Sequence, residues 1–299
     1  MARGEFRYAG LREGWLKGNT HLHTTRSDGA KSPDEVAGMY AGAGFDFICL
    51  TDHWHASAEQ AARARGTSLT IVDGVELDGN DAEGSFYHIV CLGTFRGIER
   101  EMGLAKALQS AREQGAYLVL AHPLWTGNSM AEALRHPFHG VEVYNHVCQW
   151  LNGKGSGLAH WEAVLERRAD VVGLAVDDAH ITQAHPGWNG GWLRVGARDR
   201  SPASILEALR AGFFYSSTGP ELLSLEWTGT TVRGRSSPVS FARLVGPRHK
   251  GQRVGGFDGS TLTRFELTLP DDWPYARLEI EDSCGRKAWT NTLFSGNGA

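Results

Sequence analysis

Cysteine is scarce in this chain, four residues in 299. Cys49, Cys91, Cys148 and Cys284 are far apart and form no Cys-x-x-Cys pair. A disulfide-built scaffold is therefore excluded, and the expectation is free thiols in a reducing compartment. Long hydrophobic runs are also missing; none approaches the length of a membrane span. Met1 to Gly14 has no apolar core of signal-peptide length, so a cytoplasmic protein is expected. Positive charge is neither dominant nor clustered. Lys and Arg number 30 against 34 Asp and Glu, a net charge of −4, which gives no basic face for nucleic acid. No internal repeat or low-complexity linker is found. What remains is a globular composition, 41% hydrophobic and 21% charged, long enough for one large domain or a large and a small one.

What is present in quantity is histidine, thirteen residues, and it is patterned. In His21-Leu22-His23-Thr24-Thr25-Arg26-Ser27-Asp28-Gly29 two histidines stand two apart. On a strand, period 2 puts both imidazoles on one face. Asp28 follows in a polar turn that can bring a carboxylate back to the same point, the start of a metal site.

The rest of the first two thirds alternates strand, polar cluster and helix about seven times. Trp15–His23 reads as a strand. Ser32-Pro33-Asp34-Glu35 is a capping box with proline at the first helical position, followed by a stripe of Val36, Met39, Tyr40 and Ala43. Further strands are expected over 45–50, 69–75, 87–93, 117–121, 140–144 and 171–176, with helices over 56–66, around 104–111 and over 158–165. This alternation predicts a parallel sheet with crossover helices. In such sheets functional residues sit on the loops after the strands. His21, His23, His53, Glu76, His122, Asp178 and His180 fall at those strand ends. Packed without a cation, such carboxylates and imidazoles would be poorly solvated and self-repelling.

His21-x-His23, Asp28, Thr51-Asp52-His53, Glu76, His88, His122-Pro123 and Asp178-Ala179-His180 together resemble the PHP family, the polymerase and histidinol phosphatase domain, over roughly residues 15–200. The stretches Phe213–Glu221 and Gly285–Asn291 resemble the branch grouped with carbaryl hydrolase, which carries a small β-rich extension. The resemblance implies a distorted (β/α)7 barrel over 1–218 and a β-sandwich-like extension over 219–299. It also implies two or three divalent metal ions (Mn, Fe or Zn) in three subsites. The first would use His21, His23, Glu76 and Asp178. The second would use Glu76 as a bridge with His88 and His122. The third would use Asp28, His53 and His180. Asp28 stands where many members have histidine, which makes the third subsite richer in oxygen.

Metals in such a cluster lower the pKa of a shared water and make hydroxide available near neutral pH. Glu76 and Asp178 are then catalytic as well as ligating. The expected reaction is hydrolysis of a small-molecule phosphomonoester or phosphodiester. The alternative is a carbamate or carboxyl ester on the same metals, and a third reading is a non-catalytic module whose metals only hold the fold. His55 and His146 are candidates for leaving-group protonation, and Arg194 and Lys154 for an anionic substrate. Asp52 and Asp177 either orient imidazoles or cap loops. Gly187–Trp192, glycine-rich with two indoles, either walls the pocket or caps the barrel. His136, His139, His160, His185 and His249 have no partner pattern.

After Ser201-Pro202, a helix start, a helix runs through Ile205–Leu209. Beyond it short β-type runs (222–227, 239–245, 262–269, 276–281) read as a small antiparallel sandwich, docked on the barrel because about 75 residues make a thin core. Trp227, Trp273 and Trp289 are expected in its core or interface.

Overall fold

The computed structural model describes residues 4–11, 14–56 and 69–294. Most of the helix expected over 56–66 lies outside the described residues. The chain opens with β1 (Leu16–Asn19), α1 (Pro33–Gly42), β2 (Phe47–Leu50), β3 (Thr70–Asn80) and β4 (Phe86–Leu92). Next come α2 (Gly103–Glu113), β5 (Tyr117–Leu120), α3 (Pro123–Thr126), α4 (Met130–Ala133) and β6 (Gly140–Asn145). Then follow α5 (His146–Asn152), α6 (Leu158–Leu165), β7 (Val172–Val176), β8 (Trp192–Val195), α7 (Pro202–Arg210) and β9 (Phe214–Ser217). The expected capping box starts α1: Ser32 Oγ accepts from the Glu35 amide, and Glu35 reaches back to the Ser32 amide.

The remainder is β10 (Leu222–Thr228), β11 (Thr231–Val239), β12 (Phe241–Val245), β13 (Gly251–Gly255), β14 (Leu262–Thr268), β15 (Arg277–Glu281) and β16 (Lys287–Thr290). Thirteen strands form one sheet in the order β13-β12-β15-β16-β9-β8-β1-β2-β3-β4-β5-β6-β7, and β10-β11-β14 form a second, three-stranded sheet.

The architecture is mixed α/β, and it departs from the sequence expectation in two ways. First, the strand ladder does not close into a (β/α)7 barrel. Past the ends of β1 and β7 the two segments meet at an isolated bridge, Leu22 to Ala179, with Asp178 N donating to His21 O and His23 N to Ala179 O. The gap lower down is spanned by a side chain: Ser216 Oγ accepts from Ala175 N and donates to Gly173 O. The sheet nonetheless curls, because one apolar cluster draws side chains from β2 to β5 and β7 to β9, among them Phe47, Val72, Val90, Val119, Leu174, Leu193 and Phe214. Second, the sheet is not all parallel. β3 and β4 form an antiparallel hairpin, β4 pairs antiparallel with β5, and β8 pairs antiparallel with β1.

The late strands do more than dock. β16 pairs with β9, so β12, β13, β15 and β16 prolong the same sheet. Trp289 and Tyr275 enter the apolar cluster beneath α2 and α6. Arg277, buried, reaches Glu162 on α6. Trp273 is also buried, and Trp227 packs on the neighbouring cluster. Cys49, Cys91 and Cys148 are buried free thiols and Cys284 is exposed. No helix among the described residues is long and apolar enough to cross a membrane.

Candidate metal centre

The bridge at Leu22 sends that side chain into the apolar cluster with Val36 and Tyr40. His21 and His23, one residue to either side, therefore face the opposite way, and both are buried. Gly29 lets the turn that carries Asp28 pass close behind: a Cβ there would sit 2.6 Å from the His23 carbonyl oxygen. Glu76 lies within β3 and is bridged to His53. β4 runs back antiparallel, so His88, near its start, meets Glu76, with Nδ1 2.8 Å from Oε1. His122 and Asp178 leave the ends of β5 and β7 with φ of 25° and 55°. Non-glycine residues pay for such backbone, so this strain marks positions held by the surrounding structure.

Around one point His21 Nε2, His23 Nε2, Glu76 Oε2 and Asp178 Oδ1 converge. His21 Nε2 and His23 Nε2 are 3.1 Å apart, and each lies 3.1–3.2 Å from both carboxylate oxygens. Ligands at about 2.0–2.1 Å in tetrahedral array stand about 3.3–3.4 Å apart, so this spacing suits a divalent cation. Asp178 Oδ1 is fully buried and accepts no hydrogen bond despite those neighbours, as expected of an oxygen aimed at a shared centre. The donor set, two imidazoles and two carboxylates, fits such an ion.

A second group is His53, Glu76 and His88, with His122 Nε2 3.3 Å from Glu76 Oε1. A third is His23, Asp28, His53 and His180. His180 Nε2 lies 3.3 Å and His53 Nε2 3.9 Å from Asp28 Oδ2. His53 thus stands between the two groups, 3.4 Å from Glu76 Oε2. Asp28 is the open side, its side chain 54% exposed.

The electrostatics are those of a cluster sharing protons where cations would fit. Burial opposes charge on His21 and His23, but Asp178 and Glu76 outweigh it. They hold His21 well above its ordinary value and raise His23 to about 10. Burial likewise opposes charge on Glu76 and Asp178. His21, with His88 and His53 for Glu76 and His23 for Asp178, keeps both carboxyls well below the usual range.

Sequence reasoning missed the partner behind this cluster. Glu142 Oε1 sits 2.6 Å from His21 Nδ1, while Oε2 accepts from the His122 amide and from Asn145 Nδ2. Asn145 Nδ2 also donates to Asp178 Oδ2. The only sequence signal was a carboxylate inside the apolar strand Gly140-Val-Glu-Val-Tyr-Asn145. Asp78, two residues beyond Glu76 on the same face, lies 3.1 Å from His53 Nδ1. Arg100 was also missed. It pairs with Asp78 and, with Ser27, Asp28, His53 and His88, lines an open cleft of about 420 Å³.

The residues left open are now placed. Asp52 and Asp177 hold loops: Asp52 accepts from Thr24 N, Thr24 Oγ1 and Ser27 Oγ. Asp177 accepts from the amides of Asn189, Gly190 and Gly191 and from Tyr40 Oη. The 187–192 loop is thereby tied over α1, with Trp188 against Tyr40. His55 is exposed. His146 Nδ1 lies 3.1 Å from Tyr144 Oη, its ring against Gly190. The guanidinium of Arg194 is taken by Glu221 and the Trp15 carbonyl. Lys154 is exposed on the loop after α5. None of these four makes the contacts that join the cluster. His136 pairs with Asp81, His139 accepts from the Leu118 amide, and His160 bonds the Asn128 carbonyl.

No family model matches the chain, and no curated protein does. Solved structures do. One is a two-domain protein from Bacteroides vulgatus described as containing a predicted PHP-like metal-dependent phosphoesterase. It is 16% identical with a TM-score of 0.56, covering 98% of this chain and 99% of that one. Another, from Bifidobacterium adolescentis and described as a candidate metal-dependent phosphoesterase, is 12% identical with a TM-score of 0.43, covering 64% and 95%. The first likeness extends over nearly both chains and establishes a shared PHP-like fold.

Proposed function

We propose that this chain is a PHP-like metal-dependent phosphoesterase acting on a small-molecule phosphomonoester or phosphodiester. The observation that carries the reading is the convergence of two buried carboxylates and two buried imidazoles on one point, beside a cleft bearing Arg100. His21, His23, Glu76 and Asp178 would hold one divalent ion. His53, His88 and His122 around Glu76, and Asp28 with His180, would hold one or two more, of Mn, Fe or Zn. When bound, such ions polarise phosphoryl oxygens and activate water.

The chain's own residues do the rest. Glu142 fixes the ring of His21 and, through its second oxygen, the backbone of His122. Orienting carboxylates of this kind set ligand geometry and basicity. Arg100 presents a planar cation to an anionic head group entering the cleft. His55 and His146 remain our candidates for protonating the departing oxygen. We further propose that residues 219–299 are a β extension built onto 1–218, as in the carbaryl-hydrolase branch.

The test is turnover by protein stripped of metal and reloaded separately with Mn, Fe(II) or Zn. The substrates are p-nitrophenyl phosphate, bis-p-nitrophenyl phosphate and an aryl N-methylcarbamate. Metal-dependent turnover of a phosphate ester, lost in Glu76→Ala, is expected. Turnover of the carbamate alone would replace the phosphoesterase reading, and bound metal with no turnover of any of them would count against both.

A further inference from the structure

Large apolar side chains more than about a third exposed are few among the described residues, and they are not scattered. Of the eight, only Phe257, 93% exposed between β13 and β14, stands apart. The other seven open β4 or lie on and beside the helical segments that follow β5 and β6. Those segments leave the sheet at the end where the cluster sits. Single exposed apolar residues are ordinary; a concentration beside a site marks contact with something apolar.

Two of them touch the cluster itself. Phe86 is 47% exposed, with its ring 5.5 Å from that of His88. Trp125 is 37% exposed and stands at 83° to both His88 and His122, with centroids 5.8 and 5.1 Å away. The backbone explains both placements. The antiparallel turn-back of β4 puts its first residue at the cluster end, two before His88. α3 begins at Pro123, directly after His122, so Trp125 follows within the same turn, its amide bonded to the His122 carbonyl. Asn128 Nδ2 donates to the Phe86 carbonyl at 2.8 Å and ties the two segments together. Both aromatics are therefore held on anchored backbone rather than on a free loop.

His88 also belongs to the polar cleft. On that side Arg100 is 58% exposed, with both terminal nitrogens 3.2 Å from Asp78 oxygens and its guanidinium over Trp54. The Arg100 end of this pair is open to solvent, so its guanidinium can turn to an incoming anion. One imidazole thus separates a polar cleft, lined by Arg100 together with Asp28 and Asp78, from an apolar aromatic shelf. An ester with an anionic head and a flat apolar body matches that division, because aromatic faces bury large area at low entropic cost.

Taking the head group from the phosphoesterase reading above, we propose that Phe86 and Trp125 form the leaving-group subsite and select phosphoesters whose departing group is aromatic. The anionic head lies in the Arg100 cleft beside the cluster, and the aromatic body lies on the Phe86–Trp125 shelf.

The experiment compares 1-naphthyl phosphate with glycerol 2-phosphate in wild type, Phe86→Ala, Trp125→Ala and the remote control Phe257→Ala, at matched Mn content. For Phe86→Ala and Trp125→Ala, kcat/KM on the naphthyl ester is expected to fall about 10-fold or more, with less than about a 2-fold change on the glycerol ester. Phe257→Ala leaves both unchanged. If an alanine variant loses metal or melts early, the leucine variant at that position takes its place. In parallel, non-hydrolysed 1-naphthylphosphonate is titrated calorimetrically, and its binding weakens about 10-fold in the two shelf variants. Equal losses on both esters, or unchanged phosphonate binding, overturn the subsite. A change of oligomeric state on size exclusion without a change in selectivity overturns it too, and gives the surface to a second copy of the chain. If neither ester is turned over but the phosphonate still binds through Phe86 and Trp125, the phosphoesterase reading falls and the shelf stands.

Discussion

At the scale of single residues, Glu142 has the clearest consequence. Its two oxygens meet His21 Nδ1, the His122 amide and Asn145, so one side chain positions two metal-type imidazoles. Glu142→Gln is expected to weaken metal binding about 10- to 100-fold while keeping the fold; titration with a competing chelator reads it, and unchanged affinity would remove Glu142 from this role. Protonation gives a second prediction. The raised values of His21 and His23, the latter about 10, stabilise the metal-free protein fully below about 6.5 and progressively less as pH climbs through the folded value. The depressed Glu76 and Asp178 contribute fully above about 4.5 and lose that contribution as pH falls. The metal-free protein therefore draws most from this cluster between about pH 4.5 and 6.5. A cation needs those imidazole protons gone. From pH 6.5 to 9 the Tm of chelator-treated protein should fall and the Tm increment from added Mn or Zn should grow; a pH-independent increment would contradict this.

At the scale of elements, the most informative feature is how the sheet ends meet. β7 and β9 share no ladder, and Ser216 Oγ stands in for one, bonding Ala175 N and Gly173 O. Ser216→Ala leaves a buried amide without its acceptor and should cost about 1–3 kcal/mol, read by urea denaturation. A loss below about 0.5 kcal/mol would show that this bridge does not hold the curl. The helix start at Ser32 was legible because a capping box is a local device spanning four residues. The β3–β4 hairpin was not. The loop at 81–85 lacks a tight-turn signature, and both strands are apolar enough to pass for buried parallel strands. His88 stands near a strand start, and only the antiparallel return explains how it meets Glu76.

At the scale of the whole molecule, the late strands and the curled sheet form one body of hydrogen bonds. β16 pairs with β9, Arg277 reaches Glu162, and Trp289 enters the core under α2 and α6. Calorimetric unfolding is expected to show one cooperative transition; two separated transitions would mean that 219–299 folds independently of 1–218. Arg277→Ala, which removes the partner of Glu162 and the guanidinium over Trp161, should cost about 1–3 kcal/mol by urea denaturation, because the Glu162 side chain is 31% exposed.

The metal-type residues were legible from sequence because they ride on local periodicities. His21 and His23 flank the bridged Leu22 at a spacing of two, and His122, Asp178 and His180 mark strand exits. Composition and spacing alone determined the α/β class, the helix start at Ser32 and a short list of metal-type side chains. Tertiary structure alone decided the open ladder, the return of His88, the seat of Glu142 behind His21, and the pairing of Arg194 with Glu221 away from the cluster. The physical reason is range. Hydrogen-bond periodicity and capping act within a few residues, whereas Glu142 and His21 are 121 residues apart. They meet only because β6 and the segment that follows β1 close on one buried point.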